Sequence, residues 1–131
     1  MQVNHIGYAV KSLEGSIKKF ELLGFQFEKK IIDNDRNLKI QFGQNGEERI
    51  ELLEVLDKNK PSPIDIYLNK IGPTPYHICY NSDDIEKDIY NLKTNGFSVI
   101  IPLQKATAFN GRNVVFLYEK SIGMIELVEK Y

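Results

Sequence analysis

The chain has 131 residues, of which 42% are hydrophobic and 27% are charged, and both fractions are typical of a single globular domain. Its 17 basic and 18 acidic residues give a net charge of −1 and are scattered along the chain, which argues against nucleic-acid or membrane-surface binding. One cysteine excludes an intrachain disulfide, and without a leader or an apolar run of about 18–20 residues the expected compartment is the cytoplasm.

The apolar periodicity predicts the element order β-α-β-β-β twice, with a proline-rich stretch and a short helix over 64–71 between the copies. The predicted elements of the first copy lie at residues 3–10, 13–23, 26–32, 38–42 and 49–56. Those of the second copy lie at residues 77–81, 85–92, 98–102, 113–118 and 123–129. Gly24 and Gly96 stand where a helix C-cap glycine belongs, and Asp83 with Glu86 is typical of a capping box.

The two copies are also similar residue by residue. At a shift of 72, residues 5–25 and 77–97 share 7 identities in 21 positions, and at a shift of 75 residues 50–54 and 125–129 share 4 in 5. Self-similarity of this kind indicates a repeated structural unit. We therefore predict one domain over 1–131, in which module one spans about 1–57, a linker about 58–74 and module two about 75–131.

Four residues with metal-binding side chains obey the repeat. The only two histidines of the chain, His5 and His77, open the first strand of each module, and Glu51 and Glu126 share a position in the last strand. If a pseudo-twofold axis relates the modules, these four side chains converge on one point. Two imidazoles and two carboxylates suit a divalent transition metal, with nickel or cobalt favoured and zinc, manganese or iron as alternatives.

Strand alternation predicts space beside this site. Gly7 shares a face with the first histidine and Cys79 with the second, and both side chains are small. A ligand would fit above them, while the bulky opposite faces would pack under the helices. Cys79 is expected to be a buried filler rather than a catalytic thiol. Glu54 and Glu129 are expected to be the solvent-facing members of their strands.

The repeated module, with its histidine at the start and its glutamate in the last strand, resembles the vicinal oxygen chelate superfamily over nearly the whole chain. Members of this superfamily include glyoxalase I, methylmalonyl-CoA epimerases, extradiol dioxygenases, fosfomycin-resistance enzymes and bleomycin-binding proteins. The stretches most similar to the epimerases are His5–Val10, Ile50–Glu54, Ser62–Ile64, Tyr76–Cys79, Asn110–Arg112, Val115–Leu117 and Gly123–Glu129.

The resemblance implies an α+β fold in which paired βαβββ modules form a curved, eight-stranded, mixed or antiparallel sheet around a metal-binding cleft. It also implies a homodimer. Glyoxalase I carries the same ligand order, and by resemblance to it Glu51 and Glu126 are the catalytic bases as well as metal ligands. By resemblance of position alone, Tyr118 and Lys39 are candidates for assisting them.

The leading expectation for function is an isomerase that removes a proton next to a carbonyl through a metal-bound enediolate, on a hemithioacetal as in glyoxalase I (lactoylglutathione lyase). The alternative is an acyl-CoA epimerase similar to methylmalonyl-CoA epimerase. Against the alternative, Tyr118 replaces a usual histidine, and the third strand offers Asn37, Lys39 and Gln41 but no acid. A further alternative is a non-catalytic drug-binding protein. The expected substrate is a thiol adduct or a thioester.

Overall fold

The computed structural model describes residues 1–130, which contain nine strands, three α-helices and one 3-10 turn at Thr107–Phe109. The last residue of predicted module two, Tyr131, lies outside the described residues. The helices are α1 (Leu13–Leu22), α2 (Asp65–Lys70) and α3 (Ile85–Thr94). The strands are β1 (Val3–Ala9), β2 (Gln26–Phe27), β3 (Ile31–Asp33), β4 (Leu38–Asn45), β5 (Glu48–Val55), β6 (Thr74–Ser82), β7 (Ser98–Lys105), β8 (Asn113–Glu119) and β9 (Gly123–Glu129).

The nine strands belong to one open, mixed sheet with the order β2-β4-β5-β1-β6-β9-β8-β7, and β3 pairs with β4. The predicted α+β class is confirmed, but the predicted count of eight strands is wrong. The strand expected over 26–32 is two short strands that pair with β4 in different registers, Phe27 opposite Gly43 and Ile31 opposite Ile40. One extra residue on this side breaks the ladder, as in a β-bulge.

Contacts divide the chain into two compact units, one of which is His5–Tyr76. In this unit β5 pairs antiparallel with β4 and parallel with β1. Helix α1 packs on one face of these strands, where its Leu13 joins Val10 and Leu52 in a buried cluster. Fully burying side chains of this size contributes about 1.5–3 kcal/mol each. The opposite face of β1 carries His5, as the alternation predicts.

The second unit combines Met1–Asn4 with the chain from His77 onward and repeats this arrangement. Strand β9 pairs antiparallel with β8 and parallel with β6. Helix α3 contributes Ile85 to a buried cluster with Leu117 and Leu127, again on one face of the strands. His77 lies on the opposite face of β6.

The helix boundaries follow local side-chain chemistry. Ser12 accepts a hydrogen bond from Gly15 N at the start of α1, and Asp84 accepts one from Lys87 N at the start of α3. The N-cap of α3 is therefore Asp84, and the predicted capping box one residue earlier at Asp83 is wrong. Both helices end as predicted at a glycine with positive φ, 101° at Gly24 and 93° at Gly96.

None of the helices described within residues 1–130 is long and apolar enough to cross a membrane.

Candidate metal centre

The first half of the candidate site is a buried histidine–glutamate pair on β1 and β5. His5 Nε2 lies 3.4 Å from Glu51 Oε1, and the two side chains are 0% and 6% exposed. The parallel register places Gly7, two residues beyond the histidine, opposite Glu51. Because Gly7 has no side chain, the carboxylate has room to turn toward the imidazole. The edge-to-face ring of Phe42 packs against His5 with centroids 5.5 Å apart.

The second half repeats these relationships on β6 and β9. His77 Nε2 lies 3.0 Å from Glu126 Oε2, and the side chains are 1% and 2% exposed. Cys79, two residues beyond the histidine, stands opposite Glu126 in the register. It is fully buried, in agreement with its expected role as a small filler. Phe116 packs edge-to-face on His77, with ring centroids 5.3 Å apart.

The four predicted ligands form one group. A donor atom from each of His5, Glu51, His77 and Glu126 lies within 4.8 Å of those of the others, and all four residues are buried. Bonds of about 2.0–2.2 Å to one ion would place opposite donor atoms about 4 Å apart, so the observed spacing needs only small side-chain adjustments. The group could therefore hold a metal ion.

The charges of the group also fit a divalent cation. Two carboxylates taken out of water carry a large desolvation cost unless positive charge compensates them. A divalent ion compensates both carboxylates and binds the neutral form of both imidazoles. Nitrogen and carboxylate oxygen donors suit the first-row transition metals.

Two other repeat-related carboxylates have a different role. Glu54 accepts a hydrogen bond from Leu13 N at the start of α1 (2.7 Å) and pairs with Lys39 Nζ at 3.0 Å. Glu129 accepts from Asn113 N (2.8 Å) and Asn113 Nδ2 (3.0 Å), and these hydrogen bonds lower the pKa of its carboxyl group. Both are half-buried and bonded, so the expectation that they simply face solvent is wrong.

The two candidates for assisting residues lie on different faces. Lys39 contacts Glu54 on the face that packs under α1, opposite to the face of Glu51, so its predicted contribution to the site is wrong. Tyr118 lies two residues beyond Phe116 on β8 and shares its face by alternation. Its side chain is 44% exposed, which leaves it accessible at the edge of the second half.

Three functional candidates escaped the sequence analysis. Phe42 and Phe116 occupy equivalent places beside the two histidines, but they are 74 residues apart. The repeat was aligned at shifts of 72 and 75, so this pair fell between the two alignments. The third is Arg49, whose guanidinium lies 4.3 Å from the centre of the Phe42 ring. Its signal was its position two residues before Glu51, on the same face of the strand.

Comparison with known proteins agrees with this geometry. The profile of the family described as the Glyoxalase/Bleomycin resistance protein/Dioxygenase superfamily matches residues 4–116. The mitochondrial methylmalonyl-CoA epimerase of Homo sapiens is 29% identical over 129 residues, which cover 98% of this chain and 72% of the human protein.

Solved structures give the same answer for the fold. Hypothetical protein BH1468 from Bacillus halodurans C-125 is 29% identical, with a TM-score of 0.88 and coverage of 99% of this chain and 94% of that one. A variant of Streptomyces coelicolor methylmalonyl-CoA epimerase, in complex with 2-nitronate-propionyl-CoA, has a TM-score of 0.83 at 20% identity. That match covers 98% of this chain and 96% of the other.

Proposed function

The chain belongs to the glyoxalase/bleomycin resistance protein/dioxygenase superfamily, and we propose that it is a metal-dependent epimerase of an acyl-CoA thioester of the methylmalonyl type. The epimerase relatives favour this function over the glyoxalase I activity that the ligand order first indicated. The shared chemistry is removal of a proton from the carbon next to a carbonyl.

The observation that carries the proposal is the presence of two buried carboxylates, one from each repeat, in one group of donor atoms. Epimerisation removes a proton from one face of a carbon and returns a proton to the other face. One carboxylate accepts the first proton, and a second, protonated carboxylic acid supplies the other. We assign Glu51 and Glu126 to these roles, because each adjoins a buried histidine at the same repeat position.

The metal would be held by His5, Glu51, His77 and Glu126. When bound, a divalent ion supplies Lewis-acid stabilisation of the negative charge that develops on the thioester oxygen during proton removal. The chain contributes a dry setting, since the four residues and the adjacent Phe42 are all buried. Low exposure to water strengthens each electrostatic interaction within the site. Cobalt and nickel are the favoured ions, with manganese, zinc and iron as alternatives.

The composition of β4 supports the use of ligand carboxylates as bases. The face of this strand that bears Phe42 also carries Leu38, Ile40 and Gln44, so it offers no separate acid. Both acid–base groups are then sought among the donor group itself. A carboxylate that binds a metal through one oxygen keeps a second oxygen with which it can accept a proton.

The second candidate function is isomerisation of a hemithioacetal, and it is favoured by the carboxylate at Glu51, which matches the His, Glu, His, Glu order of glyoxalase I. The same two bases would serve, because the reaction again moves a proton next to a carbonyl. We further propose a homodimer. Strand β7 ends the sheet and exposes Val99, Ile100 and Leu103, and an apolar edge of this kind needs cover.

The test compares both substrates on the same cobalt-loaded protein. Methylmalonyl-CoA in D₂O should exchange its C2 hydrogen and interconvert its epimers, followed by NMR and by resolution of the two epimers. Methylglyoxal with glutathione should give no lactoyl thioester above the rate without protein. Thioester formation without C2 exchange would replace the proposed function by the second candidate.

A further inference from the structure

A cation stands at the rim of the first half-site. Arg49 precedes Glu51 by two residues on β5, so both side chains lie on the same face of the sheet. The Arg49 guanidinium lies over the ring of Phe42, and that ring in turn packs against the imidazole of His5. Only one aromatic ring therefore separates this positive charge from the donor group.

Three contacts fix the guanidinium in place. Its Nη1 donates to Glu28 Oε2 at 2.5 Å and to Gln44 Oε1 at 3.2 Å, and its plane rests on Phe42. An arginine has five N–H donors. Within residues 1–130 the protein acceptors engage Nη1 alone, which leaves the donors of Nε and Nη2 for another acceptor. The side chain is 28% exposed, so a ligand can reach it.

The charge is a special feature of module one. Met124 occupies the position equivalent to Arg49 in module two, 75 residues later. The other two arginines of the chain serve local structure. Arg36 pairs with Asp33 in its own turn, and Arg112 donates to the backbone carbonyls of Phe109 and Glu129. Repeat symmetry accounts for the ligands and the rings of the site, but it does not account for Arg49.

We propose that Arg49 is a specificity-determining residue that binds an anionic oxygen group of the substrate. This inference rests on the proposed function, because an acyl-CoA of the methylmalonyl type carries two such groups, the acyl carboxylate and the phosphates of the CoA. A planar guanidinium with free donors matches either group with paired hydrogen bonds. Glu28, which is 55% exposed, competes for the same cation and limits its affinity for the anion.

The test measures binding by calorimetry to the cobalt-loaded protein with three probes. Methylmalonyl-CoA has both anionic groups, propionyl-CoA has only the phosphates, and the N-acetylcysteamine thioester of methylmalonate has only the carboxylate. The variants are Arg49→Met, which installs the residue of the other repeat, Arg49→Lys, and Glu28→Gln. Lys19→Met is the charge control, since it removes an exposed cation from α1.

Arg49→Met should weaken methylmalonyl-CoA binding about tenfold, the value of one charge-assisted hydrogen bond. Arg49→Lys should restore part of this loss, and Glu28→Gln should tighten binding several-fold because it removes the competing carboxylate. If the carboxylate is the partner, propionyl-CoA binding will not change in Arg49→Met. If the phosphates are the partner, binding of the N-acetylcysteamine thioester will not change.

Two results separate failure of this inference from failure of the proposed function. Equal affinities of wild type and Arg49→Met for all three probes, in a protein that epimerises methylmalonyl-CoA, would overturn the assignment of Arg49 alone. A wild-type protein that binds none of the probes would overturn both. An equal loss in Lys19→Met would also overturn the assignment, because it would show a general charge effect. Cobalt content, measured for every variant, should stay at the wild-type level.

Discussion

Removing one carboxylate from the donor group should abolish the stabilisation of the protein by a divalent ion. We choose Glu126→Ala, because Glu126 is 2% exposed and lies 3.0 Å from His77. The matched control is Glu129→Ala. This residue is three positions later in the same strand, β9, and its carboxylate binds Asn113 instead of the donor group.

The size of the effect follows from mass action. An ion present at one hundred times its Kd, which binds only the folded protein, stabilises that state by about 2.7 kcal/mol. The entropy of unfolding is about 2.1 cal/mol/K per residue, and for a chain of 131 residues it sums to about 0.28 kcal/mol/K. The wild-type Tm should therefore rise by about 10 °C on addition of cobalt.

Differential scanning calorimetry with and without cobalt, after removal of metal by a chelator, measures this shift directly. We expect the full shift in the wild type and in Glu129→Ala, and less than about 2 °C in Glu126→Ala at the same cobalt concentration. Comparison of shifts, rather than of Tm values, removes the effect of each substitution on the metal-free protein. An equal shift in Glu126→Ala and the wild type would refute the assignment of Glu126 as a ligand.

Three further predictions concern the support of the site and the fold. Phe42→Leu should weaken cobalt binding about tenfold in a spectroscopic titration, because the ring beside His5 is lost, whereas Phe42→Tyr should bind normally. Glu54→Ala should lower the free energy of unfolding in urea by about 2 kcal/mol, since it removes the hydrogen bond to Leu13 N, and an unchanged value would contradict this. The lowered pKa of Glu129 means that its ionised form stabilises the fold above about pH 4.5. Urea unfolding at decreasing pH should therefore show the advantage of wild type over Glu129→Gln vanishing as the pH falls through that lowered pKa, and a constant difference would contradict the prediction.

The repeat explains why the core of the site could be predicted from the sequence. Both histidines and both glutamates are polar residues within apolar strands, and a fixed offset joins each to its equivalent. Packing of each His–Glu pair then required only the parallel register of two strands, which the order of elements implies. The structure places all four residues in one buried group, as the sequence predicted.

Other features depend on contacts that one chain's pattern does not encode. The break between β2 and β3 comes from a one-residue difference in pairing with β4, and no turn residue marks it in the sequence. The face of Lys39 was open until its contact with Glu54 was known. The roles of Phe42 and Arg49 depend on ring and guanidinium contacts, which exist only once β4 and β5 are paired.

The proposal that Glu51 and Glu126 act on opposite faces of one carbon can be tested with Glu51→Gln and Glu126→Gln, loaded with cobalt in D₂O. Each variant retains one base, so it should exchange the C2 hydrogen of only one epimer of methylmalonyl-CoA, with retention of configuration and without interconversion. The two variants should select opposite epimers, while the wild type exchanges both. Interconversion of the epimers by either variant, at a wild-type rate and with full cobalt occupancy, would contradict these roles of the two carboxylates.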